Sequence, residues 1–242
     1  MKRGRRKRAP WGRRGWRLLA VAVATVGCAV LVLQLWYFAH VLWWSHFNPG
    51  TTRFMQIEAQ RLRTADPGFV LWHRWVDYDH LSVHLKRAVI AAEDARFVHH
   101  NGIDWDALRH AWQRNRDRGR IVLGGSTITM QLARNLLLSG KRSYLRKAQE
   151  FVITWMIEMV MDKRRILELY LNVAEWGTGV FGAEAAALHH YGIPAARLDR
   201  MQAARLAAML PQPRYHDAHP GSGDLARRTA IVARSMDAID LP

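Results

Sequence analysis

Two acids, a guanidinium and two imidazoles occur close together in the first half of the chain. Residues 93–102 read EDARFVHHNG and follow the apolar stretch 88–92. A carboxylate at the end of an apolar segment is partly removed from water, which raises its pKa and makes it an effective proton acceptor. Glu93 is therefore a candidate general base. An acidic pair after a helix is also common on protein surfaces, and this segment taken alone favours that interpretation.

A glycine pair, Gly124 and Gly125, introduces the second polar cluster. Hydroxyl, amide and guanidinium groups follow it at Ser126, Thr127, Gln131, Arg134 and Asn135. Backbone N–H groups at the start of a helix, together with such side chains, suit an anionic or polyhydroxyl ligand. An ordinary capped helix contains the same residue types, so this cluster by itself does not establish a ligand site.

The third cluster places four cations before a carboxylate. Lys141, Arg142, Arg146 and Lys147 precede Glu150. Cations beside an acid–base residue are what a site that expels a pyrophosphate group requires. A solvated basic helix face is the alternative, and in isolation it is the favoured interpretation.

Helical periodicity runs through most of the chain that carries these clusters. Asp104 is placed to cap a helix that contains Trp105, Leu108 and Trp112. Residues 116–123 predict a polar loop, and residues 124–127 open another helix. That helix is expected to pack Ile128, Leu132 and Leu136 and to expose Thr127, Gln131, Arg134 and Asn135.

The clearest helix covers residues 144–161. Its apolar residues recur at steps of three and four and predict one continuous buried stripe, formed by Leu145, Ala148, Val152, Trp155 and Met159. Further helices are predicted at 164–172, 180–191, 199–210 and 224–239, with Pro194 and Pro211 as breaks. The best strand signal is residues 69–76. The predicted fold class is therefore mainly α.

The N-terminal region predicts a membrane anchor. Residues 18–38 form an apolar run that, as a helix, spans the roughly 30 Å hydrocarbon layer. A cleaved signal peptide is the rival interpretation, but its apolar region is only about 7–15 residues long. Nine basic residues and no acid occur in the first 17 positions, so more than half of the net charge of +16 lies beside this run. Anionic lipid headgroups therefore explain the charge better than a nucleic acid does.

The one-sided charge also predicts the topology, because positive flanks stay in the cytoplasm. We expect a basic cytoplasmic tail at 1–17, a transmembrane anchor with an aromatic belt at 18–44 and an extracytoplasmic catalytic domain at 45–242.

Five segments of the chain form an ordered series of motifs. They are EDARF followed by HNG within 93–102, GGSTITMQL followed by NL within 124–136, RKAQE at 146–150, ILELYLN at 166–172 and GAEAA at 182–186. Read in order, they resemble the successive motifs of glycosyltransferase family 51, the peptidoglycan glycosyltransferases. The resemblance covers roughly residues 80–215.

The resemblance implies a fold, a location and a reaction. The fold is a lysozyme-like helical catalytic domain with a small membrane-associated jaw subdomain, anchored in the bacterial inner membrane by one helix. The 4-hydroxyl of an incoming lipid II attacks C1 of the lipid-linked glycan chain, expels undecaprenyl pyrophosphate and inverts the anomeric centre to a β-1,4 bond. Implied partners are lipid II, the lipid-linked glycan chain, the membrane and other wall-synthesis proteins, with no nucleic acid.

The resemblance also implies roles for individual residues. Glu93 matches the base. Glu150 matches a second essential carboxylate, which assists the leaving group through a bound cation or through the adjacent basic residues, or only holds those residues in place. No cofactor is required, and a divalent cation at the pyrophosphate is allowed. The positions that match substrate-binding residues are Asp94, Arg96, Ser126, Thr127, Gln131, Arg134, Asn135, Arg142, Arg146 and Lys147.

Three positions depart from the family pattern. Met130 stands where many members have Gln or Ser, Arg134 where many have Lys, and His190-Tyr191-Gly192 where Tyr-Phe-Gly is commoner. Arginine keeps the charge of lysine but changes its donor geometry, which leaves the phosphate contact at this position open.

Other residues suggest sites but have plainer interpretations. The pairs His99–His100 and His189–His190 resemble metal ligands, yet adjacent residues on a helix point about 100° apart and no acid completes a four-ligand set at the usual spacing, so no metal site is predicted. The tryptophans beyond the anchor are interpreted as core residues, namely Trp72, Trp75, Trp105, Trp112, Trp155 and Trp176. Trp176, beside two glycines, is the one to test for a ligand or membrane contact.

Two other functions share part of this evidence. A lysozyme-like lytic enzyme would have the fold and a catalytic glutamate, but it has no use for a pyrophosphate-binding cluster. A non-catalytic membrane scaffold of a wall-synthesis complex would not need both Glu93 and Glu150.

The charge asymmetry generates a testable prediction of topology. Protease added to intact spheroplasts should digest the region after residue 45 and leave the first 17 residues protected, because basic flanks resist transfer across the membrane. Epitope tags at the two termini, followed by immunoblotting, measure this directly. Protection of the C-terminal tag would contradict the predicted orientation.

Overall fold

The computed structural model describes residues 13–119, 124–138 and 143–242. By its internal contacts the chain divides into two compact units, Met1–His40 and Val41–Pro242. Among the predicted residues, Lys141 and Arg142 and most of the basic tail lie outside the described ranges.

One long apolar helix, α1 (Arg13–Trp44), dominates the N-terminal unit. Its segment Gly15–Trp44 is long and apolar enough to cross a membrane, and it is the one such helix in the described ranges. At about 1.5 Å per residue its 30 residues exceed the thickness of the hydrocarbon layer. The helix therefore confirms the predicted N-terminal apolar helix, and it continues through the aromatic residues that were expected to form an interfacial belt.

The second unit is built from ten helices and a small sheet within the described residues. The helices are α2 (Arg53–Ala65), α3 (Val83–Glu93), α4 (Trp105–Asp117), α5 (Ile128–Leu137), α6 (Tyr144–Val160), α7 (Lys163–Val173), α8 (Ala183–Tyr191), α9 (Arg200–Met209), α10 (Pro213–Ala218) and α11 (Gly223–Ser235). The sheet contains β1 (Trp72–His73), β2 (Glu175–Gly177) and β3 (Val180–Phe181). Mainly α is therefore the observed fold class, as predicted.

The sheet is the part of the fold that the sequence indicated least well. Its strand order is β1-β3-β2, with β1 parallel and β2 antiparallel to β3. Only two residues of the predicted strand 69–76 pair, and β3 occupies the start of a segment predicted as helix. Strands of two or three residues are too short to show the alternation by which a strand is recognised.

Two groups of helices form the core of this unit. In one group, α3 packs against α9 and α11, and in the other α5 packs against α6, α7 and α2. Helix α7 is buried almost all round, which its apolar residues Ile166, Leu167, Leu169 and Leu171 permit. Ile128, Leu132 and Leu136 of α5 are buried as predicted. These packed helices hold the polar clusters in place.

Local capping explains where several of the helices begin. The side chain of Asp104 accepts a hydrogen bond from the backbone N–H of Ala107 at 2.9 Å, and Thr127 accepts one from Met130 at 3.2 Å. Both bonds satisfy backbone donors that a helix start leaves free. The predicted loop at 116–123 begins later than expected, because α4 runs to Asp117, and residues 120–123 lie outside the described ranges.

The predicted buried stripe of α6 is wrong. Leu145, Trp155 and Met159 are 85%, 64% and 72% exposed, and Ala148 and Val152 are exposed as well. The buried face comprises Glu150, Ile153, Thr154 and Ile157. The helix has two apolar faces, and periodicity identifies a face without showing which one meets the core.

The interpretation of the tryptophans as core residues is also wrong for most of them. Trp72, Trp105, Trp112 and Trp155 are exposed, and Trp75 is half-buried. Trp105 of α4 stacks on Phe151 of α6, with ring planes 4° apart. Trp176 is completely buried, which confirms its interpretation as a core residue and leaves no exposed ring to contact a ligand or the membrane. The exposed apolar residues of α4 and α6, namely Trp105, Trp112, Leu145, Trp155 and Met159, are called the apolar face below.

Candidate active site

Glu93 is the last residue of α3, and its carboxylate points into the protein. Nε2 of Gln131 donates a hydrogen bond to Glu93 Oε2 at 2.5 Å. Glu93 Oε1 is shielded from solvent and finds no hydrogen-bond partner among the described residues. Burial raises the pKa of Glu93, although the hydrogen bond from Gln131 and the charge of Arg134 oppose the rise. The predicted desolvation of this carboxylate is confirmed, and one oxygen keeps an unused lone pair.

A buried tyrosine fixes the amide that faces Glu93. The hydroxyl of Tyr170, on α7, donates to Gln131 Oε1 at 3.1 Å, so the NH₂ end of the amide is the end that points to Glu93. Burial and the neighbouring Glu93 keep the pKa of Tyr170 well above its ordinary value, so the hydroxyl remains a donor. Tyr170 was not selected as a site residue from the sequence, although it lies within the motif at 166–172.

Asp94 joins the end of α3 to the start of α5. Its Oδ2 accepts a hydrogen bond from the backbone N–H of Ile128 at 3.1 Å, and its Oδ1 lies 2.8 Å from Nε2 of His100. A carboxylate at a helix N-terminus is favoured by the helix dipole. Asp94 is only 8% exposed. Asp94 therefore ties α3 to α5, and its bonds within the protein engage both oxygens.

Glu150 is the centre of a second, fully paired cluster. Arg146 Nη1 donates to Glu150 Oε2 and Lys147 Nζ donates to Glu150 Oε1, both at 2.5 Å. Lys147 Nζ also donates to Ser126 Oγ at 3.3 Å. The carboxylate is buried, whereas the lysine remains partly accessible, with a side chain 36% exposed. The structure thus brings the glycine-rich segment and the basic cluster together.

Arg134 and Asn135 line a small cavity beside Glu93. The cavity has a volume of about 160 Å³ and is also lined by Gln131, Tyr170 and Glu175. Arg134 is close enough to lower the pKa of Glu93 by its charge. Asn135, predicted to be exposed, is buried. Residues of the second cluster therefore line a space that adjoins Gln131, the hydrogen-bond donor to Glu93.

Two of the predicted ligand contacts are engaged elsewhere in the protein. Arg96 is exposed and pairs with Asp106 at 3.1 Å and with Asp104 at 3.5 Å, so it is not brought to Glu93. Thr127 is buried rather than exposed, because its hydroxyl donates to the carbonyl oxygen of Gly102 at 2.5 Å while it caps α5. Arg142 lies outside the described residues.

Charged residues far along the chain complete the surroundings of the cavity. The charge of Arg228, on α11, lowers the pKa of Glu93. Arg214, on α10, donates to both oxygens of Glu175 and lies 2.7 Å from Glu58. Burial raises the pKa of Glu175, and Arg214 opposes the rise. These residues carry no local sequence signal, because only the folded chain places them near the site.

Comparison with known proteins gives a consistent result. Residues 60–237 match the family model described as transglycosylase. A biosynthetic peptidoglycan transglycosylase of Janthinobacterium sp. (strain Marseille) is 55% identical over 213 residues, which cover 88% of this chain and 92% of that protein. A protein of the same name from Bordetella pertussis is 54% identical over 94% of this chain and 96% of its own length. Another from Burkholderia multivorans is 55% identical over 93% of this chain and 92% of its own length.

The raised pKa of Glu93 predicts how stability depends on pH. Between the unfolded and the folded pKa of this group the folded protein binds more protons than the unfolded chain, so stability falls as pH rises through that interval. Glu93→Gln cannot ionise and escapes this loss. Its Tm should exceed that of the parent at pH 8, and the difference should be smaller at pH 4. For a domain of this size, a change of about 1 kcal/mol in the free energy of unfolding corresponds to a Tm shift of about 2–4 °C.

A matched control separates this effect from the loss of a charge. Asp117→Asn removes one carboxylate from the exposed end of α4. Thermal unfolding of the three proteins in detergent at both pH values makes the comparison. If the Tm difference between Glu93→Gln and the parent shrinks as pH rises, ionisation of Glu93 does not destabilise the folded protein.

Proposed function

The chain belongs to the transglycosylase family, and from that premise we propose that its substrate is lipid II, which it polymerises with Glu93 as the general base. The protein is a peptidoglycan glycosyltransferase that polymerises glycan strands in cell wall synthesis. The single observation that supports the role of Glu93 is the environment of its carboxylate. The group is buried and its pKa is raised. Gln131 holds one oxygen, and the other oxygen has no partner within the described residues.

The reaction follows from this geometry and from the resemblance to the family. Glu93 Oε1 takes the proton of the 4-hydroxyl of the incoming disaccharide as that oxygen attacks C1 of the lipid-linked glycan. The new C1–O4 bond forms as the bond from C1 to the pyrophosphate oxygen breaks, so the anomeric centre inverts to a β-1,4 linkage and undecaprenyl pyrophosphate leaves. A carboxylate with a raised pKa accepts the proton more readily than a solvated one does.

We propose that Glu150 positions cations for the leaving group. Each of its oxygens is paired with a cation, Arg146 or Lys147, and the partly accessible Lys147 also contacts Ser126. Pre-arranged cations stabilise the charge that develops on a departing pyrophosphate. Arg146 and Lys147 already bring two positive charges to this carboxylate, so the residues present suit direct contact between these cations and the pyrophosphate.

The basic cluster also favours synthesis over degradation. A lytic enzyme that acts on finished glycan releases no pyrophosphate, so it gains nothing from Arg134 beside Glu93 or from the cations Arg146 and Lys147 that Glu150 holds. The relatives named above are biosynthetic enzymes. A non-catalytic scaffold is not supported, because the chain belongs to a family of enzymes.

The membrane is the proposed location of the reaction. Helix α1 is consistent with a single-pass membrane anchor, and we propose that the N-terminus is cytoplasmic and that the catalytic unit lies outside the inner membrane. The exposed tryptophans of the apolar face, Trp105, Trp112 and Trp155, suit the interfacial region of a bilayer, where one end of the ring is apolar and the other is wet. Contact between this face and the membrane would bring the site to its lipid-linked substrate. Other wall-synthesis proteins remain proposed partners, and no nucleic acid is expected.

Two carboxylate variants test the proposed function side by side. Full-length parent, Glu93→Gln, Glu150→Gln and the control Asp117→Asn are incubated with lipid II, and the chain length of the product and the binding of the precursor are measured. Glu93→Gln should lower the rate by about 10²–10⁴ and leave binding largely intact, because it removes only the base. Glu150→Gln should weaken binding more, because it releases Arg146 and Lys147. A folded, fully active Glu93→Gln protein, or a parent that clears finished peptidoglycan without making polymer, would refute the proposal.

Tyr170→Phe tests the orientation of Gln131. Without the hydroxyl, Gln131 is free to turn its carbonyl oxygen towards Glu93. The hydrogen bond from Gln131, which lowers the pKa of Glu93, is then lost, and that pKa rises further. The acidic limb of the pH–rate profile for polymerisation should move to higher pH, with about a tenfold loss of rate on that limb for each unit of movement. Tyr191→Phe, which removes a half-buried hydroxyl on α8, is the control. An unmoved acidic limb in folded Tyr170→Phe protein would show that Tyr170 does not set the amide.

A further inference from the structure

Two adjacent histidines and an aspartate converge on one point at the C-terminal end of α8. One nitrogen from each of His189 and His190 and one carboxylate oxygen of Asp217 all lie within 4.8 Å of one another. The sequence had argued against a metal here, because no nearby acid was apparent. The missing acid is Asp217, which is distant in sequence but lies on α10, and α10 packs beside β2. The cluster is distinct from the groups around Glu93 and Glu150.

The hairpin between β2 and β3 holds two of these three groups. The backbone N–H of Thr178 donates to Asp217 Oδ2 at 2.9 Å, which leaves Oδ1 facing His189 Nε2, also at 2.9 Å. Nε2 of His190 lies 3.3 Å from the carbonyl oxygen of Trp176. With the N–H of Nε2 donating to that carbonyl, the other ring nitrogen of His190 carries the free lone pair. Support of this kind, from backbone groups behind each ligand, is typical of metal sites.

The cluster is also accessible to a cation. Metal binding needs an entry path from solvent. The side chain of His189 is 35% exposed and provides that access.

From this geometry we propose that His189, His190 and Asp217 bind one zinc ion. Two imidazoles and one carboxylate suit zinc and its neighbours among the transition metals, whereas Mg²⁺ and Ca²⁺ require mostly oxygen ligands. Zinc ligands at about 2.0–2.2 Å from the ion lie about 3.3–3.6 Å apart in a tetrahedral site. The 2.9 Å between His189 Nε2 and Asp217 Oδ1 is a hydrogen bond that a small side-chain movement would widen to that separation. Three protein ligands leave the fourth position to water. In sequence the site depends on His190, which stands where the family commonly has tyrosine.

The bound ion would tie α8 and α10 to the hairpin between β2 and β3. Helix α10 also carries Arg214, which pairs with Glu175 on β2, and Glu175 lines the cavity beside Glu93. Zinc is therefore expected to stabilise one wall of that cavity from outside. It takes no part in the transfer reaction, and this inference does not depend on the roles proposed for Glu93 and Glu150.

Metal binding by full-length, tag-free protein in detergent tests the proposal. Metal-free protein is titrated with ZnCl₂ by calorimetry and with CoCl₂ by visible absorption, and its Tm is recorded with and without zinc. We expect one zinc per molecule, the intense visible bands of tetrahedral cobalt, and a Tm about 5–10 °C higher at a zinc concentration of about 100 Kd.

Three variants and a matched control decide the result. His189→Gln, His190→Gln and Asp217→Asn should each weaken zinc binding at least tenfold and abolish the rise in Tm, with folding checked by circular dichroism. His99→Gln is the control, because His99 and Asp240 form an exposed pair at 3.2 Å to which the described residues add no third ligand. The proposal is overturned if the parent binds no stoichiometric zinc, or if binding survives in folded Asp217→Asn protein or is lost equally in His99→Gln.

Discussion

The site depends above all on the burial of one carboxylate at the end of α3. The C-terminal end of a helix is a poor position for a negative charge, because the helix dipole repels it there, and removal from water adds a second cost. Gln131 and Arg134 offset part of that cost, and both are on α5. The position of α5 is in turn set by Asp94, which accepts its first N–H group, and by Thr127, which caps it. Much of the local structure can thus be understood as support for an unfavourable charge.

The contrast between Glu93 and Glu150 shows how environment separates two residues of the same type. Among the residues that the structure describes, Glu93 has a single hydrogen bond, and its pKa is raised, which suits a group that must exchange a proton. Glu150 has a cation at each oxygen, which suits a group that holds its partners in place. Pairs of carboxylates with such different surroundings are a usual way for an enzyme to divide acid–base chemistry from electrostatic stabilisation.

Helix α6 links this chemistry to the surface of the protein. One of its faces buries Glu150 and Ile153, while the opposite face exposes Trp155 and Met159. A soluble protein rarely leaves so many large apolar side chains in water, so a partner or a bilayer is expected to cover them. A single helix thereby carries both Glu150 with its two cations and part of the apolar face. Helix α6 therefore connects the buried Glu150 to the exposed apolar surface of the protein.

The sequence by itself determined the features that rest on local order in the chain. These are the apolar length of α1, the cap at Asp104, the helical class of the fold, and the series of motifs that contains Glu93 and Glu150. The first three are set by residues within a few turns of one another, so periodicity and spacing are sufficient to find them. The motif series was found by its resemblance to a known family, which depends on residue identity and order and needs no knowledge of the fold.

Only the tertiary structure decided which surfaces are buried and which distant residues meet. The stripe of α6 was assigned to the wrong side, because both sides are apolar and packing against α5 selects one of them. Tyr170 orients Gln131 from 39 positions away, and Asp217 reaches His189 from 28 positions away. Such contacts leave no periodic trace in the sequence, since they depend on how whole helices dock rather than on which residues adjoin.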